Sequence, residues 1–540
     1  MVNQHLARKL QFLLVSLLFL GTFKNLQAQL NGSFLIDTLR ISSWPSIHSF
    51  AFGSLNDQVL LLGGRIDGIH GKESGFDKKS ANTSWYIWDV AKMQVNEYPI
   101  QAPDEDLEGF FSAANSAFAQ SGQFLYVLGG YGQKTNGMFH TYPFLARIDL
   151  PYCLNALSTN QSPWPGIKII RDSLFAIAGA QMRIKDSTLV IVGGNYFEGK
   201  YSSNSSFTHQ FYTDAMYHIQ WINTSDSFYH RVVFSKRDEY NFHRRDFNLN
   251  TIIDDDGLEK LMVYSGVFQY NLNKPFMNTA LLDGKQVEEI FDFDHKFCAY
   301  NCSRLGLFEK KNNRFHQVFF GGLAEHFRDS AGQLTVDSYV PFVKSISIVS
   351  RNENGRFSEV LRSEEMPGYF GCNAEFLYNK ELPMIHEEII DWDRLSDDTT
   401  FLGYVFGGIY HPGTDRNPWQ NDSAHLTIAN PYVLKISYCK KTSTHSKDLQ
   451  NIKSLVSFKL NDHPSQGYIT LQFNGLNKVH QINLWVQNLE GRMLYANEFR
   501  LDLDSNEVKI QTDTYPSGWY RVYALINQET LLGHSFEVVR

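Results

Sequence analysis

One short pattern recurs along the chain: a run of β-forming apolar residues that ends in two glycines. It reads Val59-Leu60-Leu61-Leu62-Gly63-Gly64, Leu125-Tyr126-Val127-Leu128-Gly129-Gly130 and Leu189-Val190-Ile191-Val192-Gly193-Gly194. It returns as Val318-Phe319-Phe320-Gly321-Gly322 and Tyr404-Val405-Phe406-Gly407-Gly408. A degenerate sixth copy, Leu261-Met262-Val263-Tyr264-Ser265-Gly266, fills the one large gap. Runs that are apolar at nearly every position are expected of strands buried on both faces. The paired glycines let the backbone leave the strand with positive φ and approach a neighbour closely. Tight-turn sequences precede most copies, as at 53–57, 120–123 and Asp254-Asp255-Asp256-Gly257. The three aspartates lack the loop length and closing glutamate of a calcium loop, so they read as turn chemistry. A variable loop and a third strand follow, as in Trp85-Tyr86-Ile87-Trp88-Asp89, Leu145-Ala146-Arg147-Ile148-Asp149 and Ala215-Met216-Tyr217-His218-Ile219. An aromatic content of 14% with 38 glycines agrees with a β-rich chain.

The repeats resemble kelch repeats, which share the double glycine after an apolar strand and the aromatic strand that follows. The resemblance covers roughly residues 31–440 and implies an all-β chain with a six-bladed kelch-type β-propeller. Two features depart from the family: Ser-Gly replaces Gly-Gly in the fourth copy, and the second tryptophan of the pattern is mostly absent. Successive glycine pairs lie 66, 64, 72, 56 and 86 residues apart, which implies long loops on the blades. The sixth repeat runs out of sequence after its third strand. Residues Phe34 to Arg40 are strand-like and are expected to supply its missing outer strand, closing the ring and removing two open edges.

The chain has 540 residues, and its two ends carry different signals. Residues 1–28 read as a secretory signal: Arg8 and Lys9, then an apolar stretch from Leu10 to Leu20, then a polar segment ending at Ala28. That stretch is shorter than the ~20 residues a spanning helix requires, so no membrane span is expected after cleavage. The propeller is assigned to 29–438 and a polar linker to 439–453. Residues 454–540 hold about seven short alternating strands, the pattern of a small Ig-like β-sandwich. This end resembles the type A sorting domain of the type IX secretion system of Bacteroidetes. The resemblance rests on Asn488-Leu489-Glu490-Gly491-Arg492 and Tyr515-Pro516-Ser517-Gly518-Trp519-Tyr520, with Gly491, Gly518 and Tyr520 at the family's positions. It departs at Asp462-His463-Pro464, where the family has Asn-Pro. It implies a secreted or outer-membrane surface-attached protein, with the type IX machinery as partner through 454–540.

An exported chain can form disulfides, and this one has Cys153, Cys298, Cys302, Cys372 and Cys439. Cys298 and Cys302 would stand ~13 Å apart on an extended strand, beyond disulfide reach, so that pairing is not expected. No cysteine spacing matches a zinc site. The net charge of −8 argues against a nucleic-acid partner.

Chemistry is harder to read. There is no Gly-x-Ser-x-Gly, no phosphate loop and no His-Glu-x-x-His, so no catalytic residue, metal or cofactor is assigned. Propeller ligands meet the loops at one mouth of the channel. Those that follow the double glycines carry Arg65, Asp67, His70, Tyr131, His140, Tyr196, Tyr270, His326, His411, Arg416 and Trp419. Arg244 and Arg245 lie on the incoming loop of the fourth blade. Aromatics beside Arg and His suit a sugar, with rings stacking on its apolar face and polar groups bonding its hydroxyls. The leading expectation is a surface or secreted binding protein for a glycan or another surface protein. The alternatives are a glycan-active enzyme, like the kelch propellers that are sialic acid mutarotases or copper sugar oxidases, and an adhesion component. Fold alone does not choose among them.

Overall fold

Each double-glycine run is the second strand of a four-stranded antiparallel meander in the computed structural model of the chain. Blade one runs Ala51–Leu55, Gln58–Leu62, Ser84–Asp89, Gln94–Pro99 from the axis outwards. The inner strands of the next five sheets are Ala117–Ser121, Gln181–Lys185, Asn248–Ile253, Arg304–Glu309 and Glu375–Tyr378. Successive inner strands pack against one another. The structure describes residues 30–440 and 457–540, with breaks at 31, 70–75, 186, 201–207, 224–227, 271, 273, 330–331, 397, 414–415, 419–426, 463–464, 475–479, 489–492, 502–505 and 527–529. The signal segment, His70, Trp419, Gly491 and nearly all of the linker lie outside the described residues. Among those described, no helix is long and apolar enough to cross a membrane.

Closure follows the expectation. Ser33–Leu39 pairs antiparallel with Val433–Cys439, from Ser33 opposite Cys439 to Leu39 opposite Val433. The last blade is therefore built from both ends of the propeller sequence.

The double glycines join blade to blade. The second residue of each pair donates its N–H to a carbonyl on the incoming loop of the next blade: Gly64 to Ala113, Gly130 to Ile177, Gly194 to Arg244, Gly266 to Ala299, Gly322 to Phe370 and Gly408 to Ile47, all at 2.8–3.2 Å. At Gly129 the requirement is steric as well: φ is +66°, and a Cβ would stand 1.9 Å from the Ile177 oxygen. In the degenerate copy Ser265 takes the same backbone shape, with φ +61°. Its hydroxyl offsets the strain by donating to the Cys298 carbonyl at 2.8 Å and accepting from Asn248 Nδ2 at 3.2 Å.

Two features differ from what the sequence suggests. The loops after the second and third glycine pairs are ordered into a sheet of their own, Tyr131–Gln133, Phe139–Thr141, Asn195–Glu198 and His209–Tyr212. In addition, the segment 379–398, between the first two strands of blade six, folds into a hairpin, Met384–His386 with Ile389–Asp391. The second arm pairs parallel to the innermost strand of blade five, Gly306 opposite Ile389. It therefore lies on the axis side of that blade, and Glu388 in its turn meets Arg183 of blade three at 3.2 Å.

The cysteine geometry corrects the extended-strand expectation. Residues 298–302 turn back on themselves, because the Asn248 carboxamide donates to the Tyr300 carbonyl at 3.0 Å and accepts from the Cys302 N–H at 3.2 Å. The Cys298 and Cys302 sulfurs are 3.3 Å apart. Asp254, Asp255 and Asp256 form a turn whose outer carboxylates are taken by Lys260, at 2.6 Å to Asp254 and 2.9 Å to Asp256.

The second compact unit is Lys440–Arg540. A three-stranded sheet (Ser457–Asn461, Tyr468–Asn474, Glu507–Gln511) faces a four-stranded one (Met493–Leu501, His480–Asn488, Gly518–Ile526, Thr530–Val538). Both contribute to one core that includes Ile469, Leu471, Phe473, Ile482, Leu484, Val522 and Phe536. Strict alternation along His480–Asn488 buries one face. The Tyr520 hydroxyl donates to the Pro516 carbonyl at 2.7 Å, tying the strand to its preceding turn.

Candidate functional site at the mouth of the channel

Just ahead of each inner strand stands one residue that closes the mouth of the channel: Ser49, Asn115, Gly179, Asp246, Asn301 and Asn373. Their backbones form a hydrogen-bonded ring. Asn115 N–H donates to Ser49 O, Gly179 to Asn115, Asp246 to Gly179, Asn301 to Asp246 and Asn373 to Asn301, at 2.7–3.0 Å. Asn373 Nδ2 completes the circuit by donating to Ser49 Oγ at 3.0 Å. All except Asn301 have positive φ, which explains the small or side-chain-amide residues found there.

These backbones frame a small hollow of about 30 Å³ that opens to solvent. Ser49, Asn115, Asp246, Asn301, Asn373, Gln181 and Glu375 give it polar walls, and Phe50 and Phe118 give it apolar ones. Burial raises the pKa of Asp246, against the pull of Arg245 and a hydrogen bond with Tyr300. Burial likewise raises Glu375, opposed by Arg304 and Arg183. Glu388, whose ionisation burial also disfavours, is nevertheless drawn below its usual value by Arg183 and Arg304. Arg304 itself is anchored on Asn250 at 2.8 Å and Asn301 at 3.2 Å, which ties these charges to the mouth ring. Two carboxyl groups that hold protons more readily than usual thus share a hollow with four carboxamides. Such a set can donate to and accept from hydroxyls in several directions.

The residues read from the sequence surround this hollow without lining it. Arg65 is buried and bound to Asp67 at 2.8 Å and 2.5 Å, its guanidinium 4.3 Å from the Phe76 ring centroid. Burial disfavours the Asp67 carboxylate, but His48 at 3.8 Å and the hydrogen-bonded Arg65 guanidinium prevail and hold it well below the usual range. Tyr131 packs among Phe76, Phe139 and Phe197, and donates to the Gly199 carbonyl at 2.5 Å. His140 lies against Tyr142, and burial lowers its pKa to about 4. Tyr196 is bonded to Glu198 at 2.9 Å. Arg244 is wholly buried, with its guanidinium on the Ser265 carbonyl at 2.7 Å and over Phe276 at 4.0 Å, so it works inside blade four. Arg245 lies over Phe268 at 4.6 Å, with Nε 3.6 Å from Asp246. Tyr270 is exposed and meets His243 edge-on at 5.2 Å, while His243 is bonded to Asp214 at 2.6 Å. His326 is half-buried. His411 is buried and stacks on Phe342, and Arg416 and His411 both contact Tyr369. The structure therefore brings together Arg65 with Asp67, and Arg416 with His411. Arg245 approaches the hollow most directly, through Asp246.

No family model matches the chain, and no curated protein does. Among solved structures the chain is similar to one titled "Structure of YjhT", with 12% identity and a TM-score of 0.41, over 74% of this chain and 99% of that one.

The mouth ring escaped the sequence reading, although a signal for it exists. In the first three repeats the ring residue stands at a fixed distance before the first glycine, 63 − 49 = 129 − 115 = 193 − 179 = 14. In later repeats longer turns between the first two strands obscure this spacing.

Proposed function

We propose that this is an exported binding protein whose propeller holds a neutral sugar unit of a glycan at the mouth of its channel. The observation that carries the reading is the lining of the hollow, where carboxamide and carboxyl groups converge beside an aromatic residue. Carboxamide and carboxyl groups meet sugar hydroxyls, and half-buried Phe118 offers an apolar surface for the C–H side of a ring. The lining holds two acids and no Lys or Arg, so an anionic sugar would meet repulsion there. The signal-like N-terminus and the type A sorting resemblance of 454–540 support delivery to the cell surface or beyond through the type IX machinery.

The test is calorimetric titration of the full mature chain with neutral and sialylated oligosaccharides. Saturable binding of a neutral glycan, weakened at least tenfold by Asn301→Ala or Asn115→Ala, supports the reading. Affinity indifferent to both substitutions would overturn it. A second reading is favoured by the raised pKa of Asp246 and Glu375, the property a general acid–base pair needs for anomer exchange. Anomeric NMR on the bound sugar separates the two, since faster exchange that is lost in Glu375→Gln identifies an enzyme. Fractionation of the source cells checks delivery independently.

A further inference from the structure

Between blades four and five lies a buried group that the mouth site does not use: Cys298, Cys302, His295 and Glu359. The two sulfurs are 3.3 Å apart, close to van der Waals contact and ~1.3 Å beyond a disulfide bond. The turn that brings them together is stapled at three points by Asn248, which reaches the Tyr300 carbonyl, the Cys302 N–H and, at 3.7 Å, the Cys298 sulfur. His295 meets Glu359 at 2.9 Å, and both side chains are shielded from solvent. We infer that Cys298 and Cys302 are joined by a disulfide in the mature protein.

The chemistry balances with an incoming protein or small-molecule disulfide as oxidant, available while the chain folds and before the pair is buried. The Cys298 thiolate attacks one sulfur of that disulfide and expels the other as a thiolate. Cys302 then loses its proton and attacks Cys298 Sγ, expelling the second thiolate. The pair gives up two electrons, the incoming disulfide becomes two thiols, and the two protons leave with them. Cys372 faces Cys302 across an antiparallel bridge and is the competing partner.

Trypsin gives a direct readout, because Lys296 and Arg304 release both cysteines in one peptide, 297–304. The full-length chain is unfolded, refolded in excess oxidised glutathione, blocked with N-ethylmaleimide under denaturing conditions, digested and weighed. The expected peptide carries no label and is two hydrogens lighter than the reduced form, and prior reduction restores two labels. A doubly labelled peptide, or one linked to glutathione or to the Cys372 peptide, would overturn the assignment. Because the redox buffer is imposed, the result reads the pair itself and does not depend on where the protein resides.

Discussion

At Gly129 the backbone conformation and the space around it both demand glycine. A Cβ there would enter the Ile177 carbonyl, whereas Gly122 has a similar φ of +54° and nothing within 4 Å of its Cβ position. Gly122→Ala should therefore cost only the ~1–2 kcal/mol of the left-handed conformation. Gly129→Ala should cost more than ~2 kcal/mol, since it also pushes blade three away from the bond donated by Gly130. Urea unfolding of the two variants measures the difference. His295 offers a second test at this scale. Although burial disfavours its charge, Glu359 raises its pKa to about 9. The folded state then holds a proton that the unfolded state releases above ~6.5. Its contribution is fully present below pH 6.5 and is lost as pH rises towards 9. His295→Gln should flatten the stability profile across that window relative to the parent protein.

At the scale of elements, the closing strand and the axial hairpin each tie together parts of the propeller that lie far apart in sequence. Ser33–Leu39 covers the edge of Val433–Cys439 along seven paired positions. Removing residues 29–40 should leave that edge open and make the chain self-associate, as light scattering would detect. Phe34, buried against Phe320 and Tyr438, also leaves a gap in the core between blades five and six. The hairpin 384–391 is held across the axis by Arg183 and Glu388. Arg183→Leu should destabilise the protein by ~1–3 kcal/mol, below the full cost of breaking a buried pair because Glu388 keeps some contact with solvent. Chemical denaturation checks the value. Neither arm of this hairpin shows a long apolar run, so nothing local distinguishes it from a surface loop.

For the whole molecule, the two units have separate cores, which has a thermodynamic consequence. Calorimetry of the full chain should show two transitions, and removal of residues 454–540 should abolish one while leaving the other within about 2 °C. The all-β class, the repeat pattern and the closing strand were legible because they depend on local composition. Apolar runs such as Leu189–Val192 must be buried, and glycine pairs must turn. The candidate site was less legible. Asn115, Asn301 and Asn373 are unremarkable polar residues until six blades set them in one ring, and two of the candidate ligand residues, Arg65 and Arg244, are engaged by Asp67 and Ser265. Strands and turns follow from neighbours along the chain, so the sequence alone determines them. Which side chains converge on the axis, and that Cys298 turns back to Cys302, depends on partners such as Asn248, about fifty residues away, and only the tertiary structure decides it.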